Sequence, residues 1–144
     1  MRFRTVLFAL SLCFPLSASA QSVIINEIYN SSGSDEWVEL LVVADGTDLR
    51  GWDLRDYSSG GAAQAPVSFT TAALWQNLAK GTLIVVARPE TGLPEDLDLG
   101  DFQMVVRTDN ALLFSGNPFS FAGTSDAIEI RNAVDVQVTA VSWG

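Results

Sequence analysis

Histidine is absent from this 144-residue chain, and cysteine occurs once, at Cys13. The first absence removes the side chain that titrates near neutrality, and with it Ser-His-Asp triads, Cys-His pairs, HExxH zinc sites and histidine-dependent metal nucleases. Cys13 lies in the N-terminal apolar run, so a disulfide framework is excluded too and the fold must rest on its own core. Cations are also scarce, with eight Lys and Arg against seventeen Asp and Glu and a formal charge of −9. Beyond Arg4 they are Arg50, Arg55, Lys80, Arg88, Arg107 and Arg131, scattered along the chain. So acidic a surface repels phosphate backbones unless its cations gather on one face, so no nucleic-acid partner is expected. Carboxylates, hydroxyls, Lys80 and the arginines remain for chemistry.

Long apolar runs are lacking as well. The longest, Thr5 to Leu16, is too short to span a bilayer, so no membrane span is expected. With Arg2 and Arg4 before it and Ala18-Ser19-Ala20 after it, the run reads as a signal peptide over residues 1–20. Cys13 then belongs to the discarded segment. Removing 20 of the 144 residues leaves 124, beginning at Gln21, and takes the charge from −9 to −11. The expected product is secreted, extracellular or periplasmic, and about two thirds of its unfolded surface can be buried in one domain over 21–144. The last apolar run reaches Gly144, as expected of a minimal stand-alone version or of a part of a longer protein.

What is there has the period of strands. Val38, Leu40 and Val42 alternate with Glu39 and Leu41, Trp52 and Leu54 with Asp53 and Arg55, Phe102, Met104 and Val106 with Gln103 and Arg107, and Ile128 and Ile130 with Glu129 and Arg131. Thr82 to Ala87 is apolar on both faces, as in a covered central strand. Val134, Val136, Val138 and Ala140 make a final run, with Val141 and Trp143 opposite. Turn-forming clusters at 30–35, 44–48, 57–66 and 115–126 separate these runs. About eight short strands predict an all-β, antiparallel sandwich. Thr70 to Gly81 is the one segment that reads as a short helical turn.

Several side chains invite a functional reading. Alternation puts Glu27 on the face of Val23, Ile25 and Tyr29, partly buried, where with Glu39 or Asp35 it would form the carboxylate pair of a hydrolase. No second polar cluster converges on it, and the expectation is a protein that is not an enzyme. Asp96, Asp98 and Asp101, or Asp45 and Asp48 around a glycine turn, suit a calcium-stabilised adhesin, although "DLDLGD" lacks EF-hand spacing and no cofactor or metal is expected. Four tryptophans suit a carbohydrate-binding platform, with Trp52 and Trp143 read as sheet residues and Trp75 as the exposed one. Tyr57 and Phe119, in the two long loops, join Trp75 as binding candidates. Asn30-Ser31-Ser32 matches the N-glycosylation tripeptide.

The order of motifs resembles a lamin-tail domain. "INEI", "EWVEL" and "DLRGWDLRD" are followed by "LAKGTLIVVARPE", "LDLGD" and "DAIEIRNAVDVQVTAVSWG", covering nearly all of Val23 to Gly144. The resemblance implies an immunoglobulin-like β-sandwich and a non-catalytic module, with a structural role for Asn26, Glu27, Trp37, Glu39, Gly51, Trp52, Asp56, Gly81, Gly100 and Asp101. The loops at 57–75 and 119–123 depart from the family pattern. The expected function is binding or attachment to another protein, a surface polymer or a neighbouring module.

Overall fold

A computed structural model describes residues 21–31 and 34–144. The segment expected to be a signal peptide, 1–20, and Ser32 of the glycosylation tripeptide lie outside the described residues. Among the described residues nine strands form two sheets that pack as an immunoglobulin-like β-sandwich. In chain order they are β1 (Val23–Tyr29), β2 (Trp37–Val42), β3 (Asp53–Tyr57), β4 (Val67–Phe69), β5 (Leu83–Ala87), β6 (Gln103–Arg107), β7 (Phe114–Gly116), β8 (Asp126–Arg131) and β9 (Gln137–Trp143). One sheet has the order β1-β2-β5-β6, the other β7-β4-β3-β8-β9.

Period-two patterning explains the layers. Val38, Leu40 and Val42 of β2 point inward, as do Ile84 and Val86 of β5, Met104 and Val106 of β6, Leu54 of β3, and Ile128 and Ile130 of β8. Between the sheets they form one continuous apolar core, and burial of this kind stabilises by about 25 cal/mol per Å². Phe69, Trp75 and Phe114 fill one part of it, with ring centroids 4.9–5.4 Å apart.

Most neighbouring strands are antiparallel, but β5 and β6 run parallel. After β5 the chain passes a 3₁₀ turn at Pro89–Thr91 and comes back along the far side of β6, where Asp96 and Val105 exchange both backbone hydrogen bonds. It then turns into β6 itself. A parallel neighbour needs a connection of about a dozen residues or more, and 88–102 supplies it without a helix.

Three local expectations are corrected. Asn26 is an extra residue between the pairs Ile25–Leu40 and Glu27–Glu39, and this bulge turns Glu27 outward and Ile28 toward the core. Phe102 does not extend the inward row of Met104; it precedes β6 in a positive-φ turn and stays 49% exposed. Val134 and Val136 belong to the exposed turn between β8 and β9, closed by Asn132, whose side chain accepts from the amides of both. The short helical turn expected within 70–81 is the 3₁₀ turn Ala73–Trp75, and the one at Pro89–Thr91 joins it.

Two glycines are required by geometry. Gly51 takes φ +71° where the chain enters β3, its amide bonded to the Phe69 carbonyl. Gly116 sits so close to the Pro66 carbonyl that a Cβ would collide with it.

Candidate functional site

Buried carboxylates organise one end of the sandwich. The connection from β7 to β8 contains Phe119-Ser120-Phe121-Ala122, and three acids from different places take three consecutive amides in it. Asp56 of β3 accepts from Ser120 N–H at 3.0 Å, Glu36 from Phe121 N–H at 3.1 Å, and Asp126 of β8 from Ala122 N–H at 2.6 Å. Glu36 also accepts from the Arg88 guanidinium at 3.1 Å, and its carbonyl accepts from the Arg88 amide. The Ala122 carbonyl receives the Asn30 amide at 3.0 Å and the Trp143 indole at 3.3 Å. The loop is a plug: Phe119 and Phe121 are buried, stacked on each other at 4.9 Å, and Phe121 meets Trp143 edge-on. Burial pushes the Asp56 carboxyl above the ordinary carboxylate range; the Ser120 amide pulls it back, and the nearby Asp126 charge adds to the rise.

Burial corrects two binding candidates. Phe119 is part of the core and presents no surface to a partner. Trp75 is fully buried, packed between Phe69 and Phe114, with its indole N–H donated to the Leu113 carbonyl at 3.0 Å. A tryptophan followed by Gln76 and Asn77 in a connecting segment reads as a surface residue, but the 3₁₀ turn Ala73–Trp75 buries it.

Tyr57, the third candidate, is half-buried and ends β3. It forms one wall of a groove of about 380 Å³ over β3, β8 and β9, with Ser58, Ser59, Gly61 and Ser125 at one end and Gln137 at the other. Ala127 and Ala140, both small, leave the space open. At its floor Glu129 is almost wholly buried although it points away from the core, because Tyr57 and Arg131 cover it. The Tyr57 hydroxyl donates to Glu129 Oε1 at 2.6 Å and Arg131 Nη1 to the same oxygen at 3.0 Å. The hydrogen bond to Glu129, more than any other influence, pushes the Tyr57 phenol above its ordinary value. Arg131 continues to Asp135, Asp135 to Arg55, Arg55 to Asp53, and Asp53 accepts from Ser68. This chain of contacts covers the outer face of the five-stranded sheet.

The remaining acids are placed otherwise. Glu27 and Glu39 are cross-strand partners on the outer face of the four-stranded sheet, Glu39 accepting from Asn26 at 2.6 Å, and neither lines the groove. Asp35 accepts from Ser31. Trp37, beside them, stacks on Tyr29 at 5.7 Å, and Trp52 packs against the core. Asp96, Asp98 and Asp101 each accept the amide two residues on, from Asp98, Gly100 and Gln103. Asp48 holds Arg50, and Asp45 accepts the Lys80 amide, next to Gly81, which turns at φ +95°. Among the described residues no three acidic, histidine or cysteine side chains converge as a metal site. Each of the five arginines among the described residues pairs with a carboxylate. Among the described residues no helix is long and apolar enough to cross a membrane.

The residues missed by sequence reasoning are Asp126, Glu129 and the role of Glu36. Alternation marked Glu129 as outward, which it is, but carried no sign that Tyr57 would close over it. Fold and side chains together define an immunoglobulin-like β-sandwich whose buried acids hold loops and whose outer face carries the groove beside Tyr57. No model of a known protein family matches the chain, and no curated protein matches it.

Proposed function

We propose that the protein is an exported, non-catalytic binding or attachment module of the lamin-tail type. Its partner is a protein, a surface polymer or a neighbouring module, received at the Tyr57 groove. The observation that carries this reading is how the ionisable groups are used. Glu36, Asp56 and Asp126 are committed to backbone amides, Glu129 to Tyr57 and Arg131, and none projects into open space with a second titratable group poised beside it. Acid–base catalysis needs two carboxyls with separated roles facing a substrate; the two that line this groove are both engaged, Asp126 by the amides of Ala122 and Ala127 and Glu129 by Tyr57 and Arg131. The groove supplies what recognition needs: a concave floor, an aromatic wall and hydroxyl groups at its rim. Pairing of the arginines among the described residues takes up guanidinium groups that would otherwise hold phosphates.

The test is capture from cell envelope and culture medium by tagged protein, compared with Tyr57→Ala. Capture should fall at least tenfold in the variant while the melting temperature stays within a few degrees. Undiminished capture by Tyr57→Ala, or hydrolysis of an envelope polymer lost in Glu129→Gln, would overturn the reading.

A further inference from the structure

The two outer sheet faces balance their charges differently. On the five-stranded sheet the acids have cations: Asp53 and Asp135 meet Arg55, and Glu129 meets Arg131. On the four-stranded sheet Glu27 stands opposite Glu39 and Tyr29 opposite Trp37, all on the outer face of β1 and β2. Like charges directly opposite each other across two strands repel. Among the described residues neither glutamate forms an ion pair, and the arginines are taken by other acids. Asn26 donates to Glu39 Oε1 at 2.6 Å and holds that carboxylate in place, while Glu27 is exposed.

An aromatic step lies beside this pair of acids. Tyr29 and Trp37 stack nearly parallel, with ring centroids 5.7 Å apart and planes 12° from each other. Tyr29 is 44% exposed, so one end of the step is open to solvent. On the neighbouring strand Val85 stands opposite Glu39, and Leu41 follows along β2; both are half-buried on the same outer face. Acids, rings and aliphatic side chains thus form one surface.

We infer that this face is a docking surface for an arginine side chain carried by a partner protein, its guanidinium set against Glu27 and Glu39 and its plane laid on the Tyr29 ring. The surface lies on the sheet opposite the Tyr57 groove, and the inference does not rest on that groove. Local charge selects the occupant. Two neighbouring carboxylates without a cation complement one guanidinium, which takes carboxylates in paired hydrogen bonds and stacks on aromatic planes. A lysine ammonium matches the charge but not the plane. A small free cation would be covered from one side only, because a single sheet face encloses little; a protein segment covers Leu41 and Val85 as well. A second copy would bring its own Glu27 and Glu39 and set like charge against like.

The probe is a blocked five-residue peptide of alternating Leu and Arg, titrated into the purified protein and followed by the NMR signals of the Trp37 indole and of the β1 and β2 amides. These signals should move together while the Tyr57 amide stays, and affinity should fall severalfold between 50 and 300 mM salt. Citrulline in place of arginine, which keeps the shape and removes the charge, should bind at least tenfold more weakly, and lysine severalfold more weakly. The double variant Glu27→Gln/Glu39→Gln relieves the repulsion between the two acids. It should keep or raise its melting temperature and lose at least tenfold in affinity. Tyr29→Leu, which keeps an apolar side chain but removes the ring, should lose severalfold. No movement of the β1 and β2 signals, equal binding of the citrulline or lysine peptide, or undiminished binding by the double variant overturns the proposal. So does a dimer of the free protein that buries Trp37, or cover of this face by residues 1–20 in the unprocessed chain.

Discussion

Two acidic regions of this molecule do the same chemistry with opposite consequences. In the 96–103 loop, Asp96, Asp98 and Asp101 each accept an amide two residues away. At the plug, Glu36, Asp56 and Asp126 accept the amides of Phe121, Ser120 and Ala122, the first two from sequence distances of 85 and 64 residues. Both sets satisfy backbone donors that would otherwise go unpaired. The local set shapes a turn that water also solvates, and its removal leaves donors that water can take up. The distant set sits out of water, so each lost acceptor strands a buried amide or, for Glu36, a buried arginine as well. Sequence separation and burial, not residue type, decide what a carboxylate contributes.

The largest break in that comparison is Glu36→Ala. It removes the acceptor of Phe121 N–H and the partner of Arg88 together. Unfolding in denaturant should show a loss of about 3–5 kcal/mol, the range for breaking a buried ion pair. Asp56→Ala comes next, at about 1–3 kcal/mol, for one stranded amide. Asp56→Asn sharpens the point through pH. Because burial raises the Asp56 pKa, the folded state holds its proton more tightly than the unfolded chain. Its contribution is therefore full below the unfolded value of 3.8 and is lost as pH rises through the folded value. Melting curves from pH 7 down to pH 4 should show the wild type gaining on Asp56→Asn as pH falls; parallel curves would refute the assignment. Tyr57→Phe should cost about 1 kcal/mol for the bond to a charged acceptor, discounted for partial exposure. Asp98→Ala should lie within about 0.5 kcal/mol of wild type, the ordinary range for a surface change. Excess chelator should likewise leave the melting temperature unchanged, because these aspartates are occupied by amides.

Trp75 teaches the same lesson with an aromatic side chain. Trp75→Ala does not probe a surface; it should cost about 3–5 kcal/mol as a large-to-small core change, and lose partner capture only by losing the fold. Tyr57→Ala is the variant that separates binding from stability.

Local chemistry alone determined that this chain forms strands and an all-β sandwich. Val38-Glu39-Leu40 and Ile128-Glu129-Ile130 announce a two-residue period, and that period follows from the pleat of a single strand. The absence of histidine and paired cysteine was equally a property of the chain itself. Only the tertiary structure decided that Asn26 bulges and turns Glu27 to solvent, that Trp75 rolls under Phe69, and that Glu36, Asp56 and Asp126 meet at one loop. It also covered the β6 edge with a segment of its own connection. Alternation states which side chains share a face; it carries nothing about which strands become neighbours or in what register. Those are settled by contacts between residues far apart in the chain, and each exists only once the two sheets have closed.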